Sequence, residues 1–380
     1  TFAQPYADWQ RLFKVLMPAA AFATPKEFND GWLNRIPITA GPFHYTDYNA
    51  TTQTVTAEPD PQWWGQKPKL AKIIYRALGS TAATDAYLSG EIDFASASTT
   101  SAYAQLKNAP NTVIRTGARW DEVHITMNGA DGPLKDVRVR QALEEAIDRR
   151  IVARSAGKGM PFDPPILDNH FFMPNQKGYQ DNSGVYGTYD PAAARKLLDA
   201  AGWKDNGSGK PRTRDGQPLT LSFVLSEGAS PTTFDMAAIV QQMLAEVGMQ
   251  VKVEKVPDND YNDKYVNKGA FDLTSFRNVD EVFPSMLYPV FQQTTAGDVY
   301  QNYGRVGSPE IDQLMTQAAR TTDPAQAAAL YNQADKLIWQ QGHSLELYQR
   351  PQLLAVRKGL ANFGASGLAD WDYTKIGWMK

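Results

Sequence analysis

The stretch LTLSFVLSEGASPTTFDMAAIVQQMLAEVGMQVKVEKV, residues 219–256, decides the fold class. Residues 219–225 alternate as a strand. Phe234, Ala237, Val240, Met243, Leu244 and Val247 then recur at spacings of three and four, which puts them on one side of a helix over 233–247. Ser230 and Pro231 suit the helix start, and Gly248 stands where a left-handed residue ends it. Val251, Val253 and Val256 resume an extended pattern. Two strands joined by such a helix pair in parallel, so the spacing predicts a crossover unit of an α/β protein. Residues 271–276 are expected to form a third strand.

Working outward, the same signals recur. Asp136 is an N-cap for a helix over 137–153, with Val139, Ala142, Leu143, Ala146 and Ile147 on its apolar side. Arg138, Arg140, Glu144, Glu145, Arg149 and Arg150 are expected on its outer surface. Asp190 and Pro191 open a helix that Gly202 closes, and Ser308 and Asp323 open two more. Ile73 to Arg76 is a strongly extended run, followed by a helix that Ser80 or Thr81 caps and Gly90 ends. Residues 345–348 and 353–356 read as two short strands. Residues 154–188 are too long for an ordinary connection and too aromatic for a floppy linker, so an ordered surface-packed loop is expected.

The chain has 380 residues, more than one core usually holds, which predicts two domains with crossings near Trp120 and Gln352. Basic and acidic residues nearly cancel, 38 against 41, giving no electrostatic reason to expect a nucleic-acid partner. The absence of cysteine excludes disulfides, cysteine metal sites and thiol catalysis, and leaves the compartment open. The chain opens without an initiator Met or a basic leader and reads as a piece of a longer protein.

The search for chemistry is mostly negative. His44, His124, His170 and His343 are the only imidazoles, and no two share a metal-binding interval, so no metal site and no cofactor is expected. Asn206 to Lys210 lacks the spacing of a phosphate loop, and Ser230 is better explained as a helix cap than as a nucleophile. No catalytic residue is assigned, and an enzyme is not expected. Glu91 and Asp93 share a strand face, as surface acids commonly do. Asp280 and Glu281 follow the third strand, where ligands of α/β sheets gather, beside Phe276, Phe283 and Tyr288. Asp280 there is either a solvated loop acid or a receptor for an ammonium or hydroxyl. Trp63-Trp64 and Phe171-Phe172 are loop aromatics that serve either as anchors or as ligand platforms.

Several segments, in order, resemble one family. They are Gly41-Pro42-Phe43, Asp60-Pro61-Gln62-Trp63-Trp64-Gly65-Gln66-Lys67-Pro68-Lys69-Leu70, Ile73-Ile74-Tyr75-Arg76 and Leu88-Ser89-Gly90-Glu91-Ile92-Asp93. Asp136-Val137-Arg138-Val139-Arg140-Gln141-Ala142-Leu143 with Ala146-Ile147-Asp148-Arg149 follows, then Tyr189-Asp190-Pro191 through Leu197-Leu198 to Ala201-Gly202-Trp203. This series resembles the extracellular solute-binding proteins of the peptide, dipeptide and nickel type, family 5. The resemblance implies a periplasmic-binding-protein-like, two-lobed α/β fold of type II with an incomplete first lobe. That lobe would comprise 1–119 with 353–380, and the second 120–352. It implies a monomer that captures an oligopeptide or other small polar solute in an interlobe cleft and delivers it to an ABC permease in the membrane. Its place would be extracellular or periplasmic, with the full-length protein tethered as a lipoprotein. Peptide binders of the family hold the ligand's amino terminus with an acid after a Trp-containing strand. The matching acid is Asp280, but Phe276-Arg277 replaces the expected Trp. Arg277 therefore either favours a carboxylate or phosphate, or pairs with Asp280 or Glu281. With Phe283 and Phe171 these residues form the expected ligand set. A second reading stays open: a non-transporting scaffold or regulator of cell-envelope lipid or glycolipid assembly on the same fold.

Overall fold

The computed structural model describes all residues except 1, 14–17, 20–21, 34–35, 37, 277–282, 296, 368 and 380. The chain divides into two compact units. Unit 1 comprises Thr1–Trp9 and Trp120–Arg350, and unit 2 comprises Gln10–Arg119 and Pro351–Lys380. Residues 1–9, grouped by the sequence reading with both chain ends, belong to unit 1. There Ala7 donates its N–H to Ala319 O at 2.8 Å, and the Tyr6 hydroxyl lies 3.2 Å from Ser285 Oγ.

In unit 2, β1 (Phe43–Asn49), β2 (Thr54–Pro59) and β3 (Ile73–Arg76) form an antiparallel sheet in that order. The helix α1 (Pro25–Asp30) is capped by Thr24. The next, α2 (Ser80–Ser89), begins at Gly79 without a side-chain cap, so neither Ser80 nor Thr81 caps it. It ends at Gly90 with φ 86°. After β4 (Phe94–Ser96) and α3 (Thr100–Leu106), the chain enters β5 (Thr112–Met127), in which it passes to unit 1. Trp63 is half-buried and donates its indole N–H to Gln66 O, whereas Trp64 is 87% exposed. Glu91 pairs with Arg76 at 2.6 Å, the ordinary role of a surface acid.

Unit 1 follows the crossover plan. The helices α4 (Val137–Ala146), α5 (Arg149–Ala156) and α6 (Pro191–Ala200) precede the hairpin of β6 (Thr213–Arg214) and β7 (Gln217–Pro218). Next, β8 (Thr220–Ser226) pairs in parallel with β9 (Gln250–Val256) through α7 (Pro231–Glu246), which Ser230 caps by accepting from Thr233 N. The expected third strand is short. β10 (Leu273–Thr274) runs parallel to β8 and antiparallel to β5. After the short α8 (Asp258–Asp260) and α9 (Tyr288–Phe291) come α10 (Pro309–Arg320), capped by Ser308, and α11 (Pro324–Gln341), capped by Asp323. The two expected terminal strands are one, β11 (Ser344–Arg357), lying beside β5, so that the order in unit 1 is β11-β5-β10-β8-β9. In unit 2 the far end of β11 pairs with β4. No described helix is long and apolar enough to cross a membrane.

Two expectations for 137–153 fail for identifiable reasons. The helix breaks at Ile147, because Asp148 turns its carboxylate onto Arg150 N and Ile151 N and starts α5 as a fresh cap. The charged side chains expected outside are buried: Arg140, Glu144, Glu145 and Arg149 are at most 7% exposed. Arg140 donates to Leu134 O (2.6 Å), in the turn before α4, and to Gln341 O (2.6 Å) and Gly342 O (3.1 Å), carbonyls at the end of α11 that have no intrahelical partner. Burial pushes the Glu144 carboxyl well above the usual carboxylate range, against the pull of Arg140 and Arg149.

Candidate functional site

The site is built on the second face of β5 and β11. Val123, Ile125 and Met127 enter the main core of unit 1, as do Leu345 and Leu347. Alternation along a strand turns Glu122, His124, Thr126, Ser344 and Glu346 the other way. Such a face ordinarily meets water. Here it is covered, and all five are 5% exposed or less. Phe276, just beyond the carboxyl end of β10, closes one side with Tyr303, and Val290, Phe291 and His343 close another. The enclosed space is a cavity of about 30 Å³, large enough for one water-sized group.

Hydrogen bonds fix the walls. His124 Nε2 lies 3.0 Å from Thr126 Oγ1, and Ser275 Oγ donates to His124 O at 2.7 Å. The Phe276 ring stands edge-on to His124 at 4.9 Å and to Tyr303 at 5.8 Å. Asn302 Nδ2 donates to Gln292 O and Val306 O, so its Oδ1 is the acceptor that faces His343 Nε2 at 3.0 Å. The proton of His343 is thereby assigned to Nε2. Burial lowers the His343 pKa to about 3, with His170 and His124 adding to the effect, so it contributes a neutral imidazole. Gly304 lies against β5, where a Cβ would come within 2.9 Å of Met127 O, so the wall there requires glycine.

Behind this wall, His170 Nδ1 lies 2.7 Å from Asp335 Oδ1 and its Nε2 lies 3.7 Å from Glu346 Oε1. Arg149 donates to Glu346 O at 3.1 Å and stacks on Trp339 at 5.3 Å. The long segment 154–188 is ordered and packed, as expected. Asn169 accepts from Phe171 N and Phe172 N, and Asn182 donates to Asp335 Oδ2.

Of the residues expected to bind a ligand, the structure brings Phe276 to the cavity. Phe283 is half-buried and precedes the turn at Pro284–Leu287. Arg277 and Asp280 lie outside the described residues. Phe171 is only 2% exposed, its ring against Phe291 (5.2 Å) and Tyr331 (5.1 Å). It anchors its loop and offers no platform, because its ring is spent on the second core cluster. Sequence reasoning missed Glu122, His124, Thr126, Ser344 and Glu346. Their only signal was polar alternation, which reads as a solvated strand face.

The architecture is the two-lobed, periplasmic-binding-protein-like α/β fold of type II, the fold class of solute-binding proteins. Periplasmic EDTA-binding protein EppA superposes with a TM-score of 0.85 at 27% identity, covering 95% of this chain and 69% of that one. An oligopeptide-binding protein, AppA, from Bacillus subtilis shares the fold at a TM-score of 0.79 and 21% identity, covering 100% of this chain and 76% of that one. The profile of bacterial extracellular solute-binding proteins, family 5 Middle, matches residues 1–300, and the chain belongs to this family. Oligopeptide-binding protein OppA of Mycobacterium tuberculosis is 39% identical over 385 residues, spanning 100% of this chain. The chain covers 64% of that relative's length. The family is one of solute-binding proteins and not of enzymes.

Proposed function

We propose that this chain is the solute-capturing part of an ABC importer's extracellular binding protein, taking an oligopeptide or similar polar solute. The observation that carries this reading is the 39% identity to the mycobacterial oligopeptide-binding protein along the full chain. The pocket of unit 1 is consistent with it: three aromatic rings, a neutral imidazole, hydroxyls and a carboxylate combine apolar walls with a few polar groups, as ligand pockets do. Phe276, with Arg277, Asp280 and Phe283 flanking it in sequence, is the proposed contact segment. The same proposal takes the two compact units as the lobes, with residues 1–9 in the second lobe rather than the first, and includes a monomeric state, a membrane permease as partner and a lipoprotein tether on the full-length protein. No bond is made or broken; affinity comes from burial and hydrogen bonding of the solute.

Native mass spectrometry of the purified chain, followed by calorimetric titration with tri- to pentapeptides, tests the reading. A one-to-one complex with a peptide supports it. Release of lipid only, together with no heat from any peptide, would overturn the peptide assignment.

A further inference from the structure

Glu122, His124 and Glu346 are all buried, and one ligand atom from each lies within 4.8 Å of the other two. They come from neighbouring strands: Glu122 and His124 are two residues apart on one face of β5, and Glu346 is on β11. His124 Nδ1 lies 3.3 Å from Glu122 Oε1, yet it makes no hydrogen bond. Its other nitrogen faces Thr126 Oγ1 at 3.0 Å. With Nε2–H donating to that hydroxyl, Nδ1 presents a lone pair toward the carboxylates. This is how a metal-ligating histidine is held, one nitrogen fixed by an outer partner and the other left for the ion.

The spacing fits as well. Bonds of about 2.0–2.2 Å place tetrahedral donors roughly 3.3–3.6 Å apart, which the His124–Glu122 pair already matches. With every pair within 4.8 Å, the wider separations close by at most about 1.5 Å, a change that rotation about the glutamate side-chain bonds supplies. His124 and Glu346 also line the 30 Å³ cavity, which leaves room for water or one further donor to complete the coordination shell.

We propose that Glu122, His124 and Glu346 form a binding site for a divalent first-row transition metal ion, of which Zn²⁺ is the representative. One imidazole and two carboxylates are donors that Zn²⁺, Co²⁺ and Mn²⁺ accept, whereas an all-oxygen set would favour Ca²⁺ or Mg²⁺. The site does not rest on the importer reading, since it is defined by unit 1 alone and by no solute.

The test is titration of the chelator-stripped chain with Zn²⁺, in the absence of peptide, and with Co²⁺ for visible and X-ray absorption spectroscopy. The expected result is one equivalent per chain, with one imidazole and otherwise oxygen ligands on Co²⁺. His124→Ala and Glu346→Gln each weaken Zn²⁺ binding at least tenfold, whereas His44→Ala, in unit 2, leaves it unchanged. Circular dichroism checks that each variant is folded. Should His124→Ala fail to fold, Glu346→Gln and the imidazole count on wild-type protein decide. Absence of stoichiometric binding, a Co²⁺ site without imidazole, or equal loss in His44→Ala would overturn the proposal. Failure of peptide binding alone would leave it standing.

Discussion

Asp335 has no exposed surface, and its carboxylate joins α11 to the loop 154–188. Oδ1 accepts from His170 N at 3.0 Å and faces His170 Nδ1 at 2.7 Å, while Oδ2 accepts from Asn182 Nδ2 at 2.7 Å. In Asp335→Ala three buried nitrogens lose this acceptor. A buried donor left unsatisfied costs about 1–3 kcal/mol, and breaking a buried charged cluster costs about 3–5 kcal/mol in all. Water entering the vacated space recovers part of the sum, so the expected loss is about 3–5 kcal/mol. That is a large share of a stability of roughly 5–15 kcal/mol. Asp335→Asn keeps one accepting oxygen for His170 but turns an NH₂ toward Asn182, and is expected to cost about 1–2 kcal/mol. Urea unfolding followed by circular dichroism measures both losses. Amide hydrogen exchange over 168–183 gives the local readout, because His170 N is bonded to Asp335 itself and Phe171 N and Phe172 N to Asn169 beside it. A loss under about 1 kcal/mol in Asp335→Ala, with unchanged protection in that segment, would refute the reasoning from unsatisfied donors.

Arg140→Met removes the fork that reaches Leu134 O, Gln341 O and Gly342 O, and is expected to cost about 2–4 kcal/mol in urea unfolding. Arg140→Lys should recover little, since one ammonium cannot serve both sides of the fork. Glu144 has a folded pKa raised above its unfolded value, so its contribution is full below the unfolded pKa and is lost as pH rises through the folded one. Glu144→Gln should therefore gain on wild type as pH rises from 5 to 9, by at most about 1.4 kcal/mol per pH unit; a pH-independent gap in urea midpoints would contradict this. Phe276→Ala deletes the ring that packs on His124 and Tyr303, and should weaken solute binding about tenfold in calorimetry without unfolding unit 1. Unchanged affinity would remove Phe276 from the contact segment.

The sequence by itself determined what depends on neighbours a few residues apart. Asp136, Asp190, Ser230, Ser308 and Asp323 cap the helices they were expected to cap, because a cap is a bond to an amide two or three residues on. The crossover of β8, α7 and β9 was legible for the same reason, since the period changes from 2 to 3.6 and back within 38 residues of continuous chain. The helix break at Asp148 was also local, but the apolar stripe running through Ile147 concealed it. Tertiary structure alone decided which polar faces are buried. Arg140 is inside because the carbonyl ends of α11, some 200 residues away, need donors. Glu122 and His124 meet Glu346 because β5 and β11, more than 200 residues apart in the chain, lie side by side and the segments around Phe276, Tyr303 and His343 roof them over. Alternation tells which residues share a strand face. Whether that face meets water or another layer of protein depends on contacts that spacing along one strand does not encode.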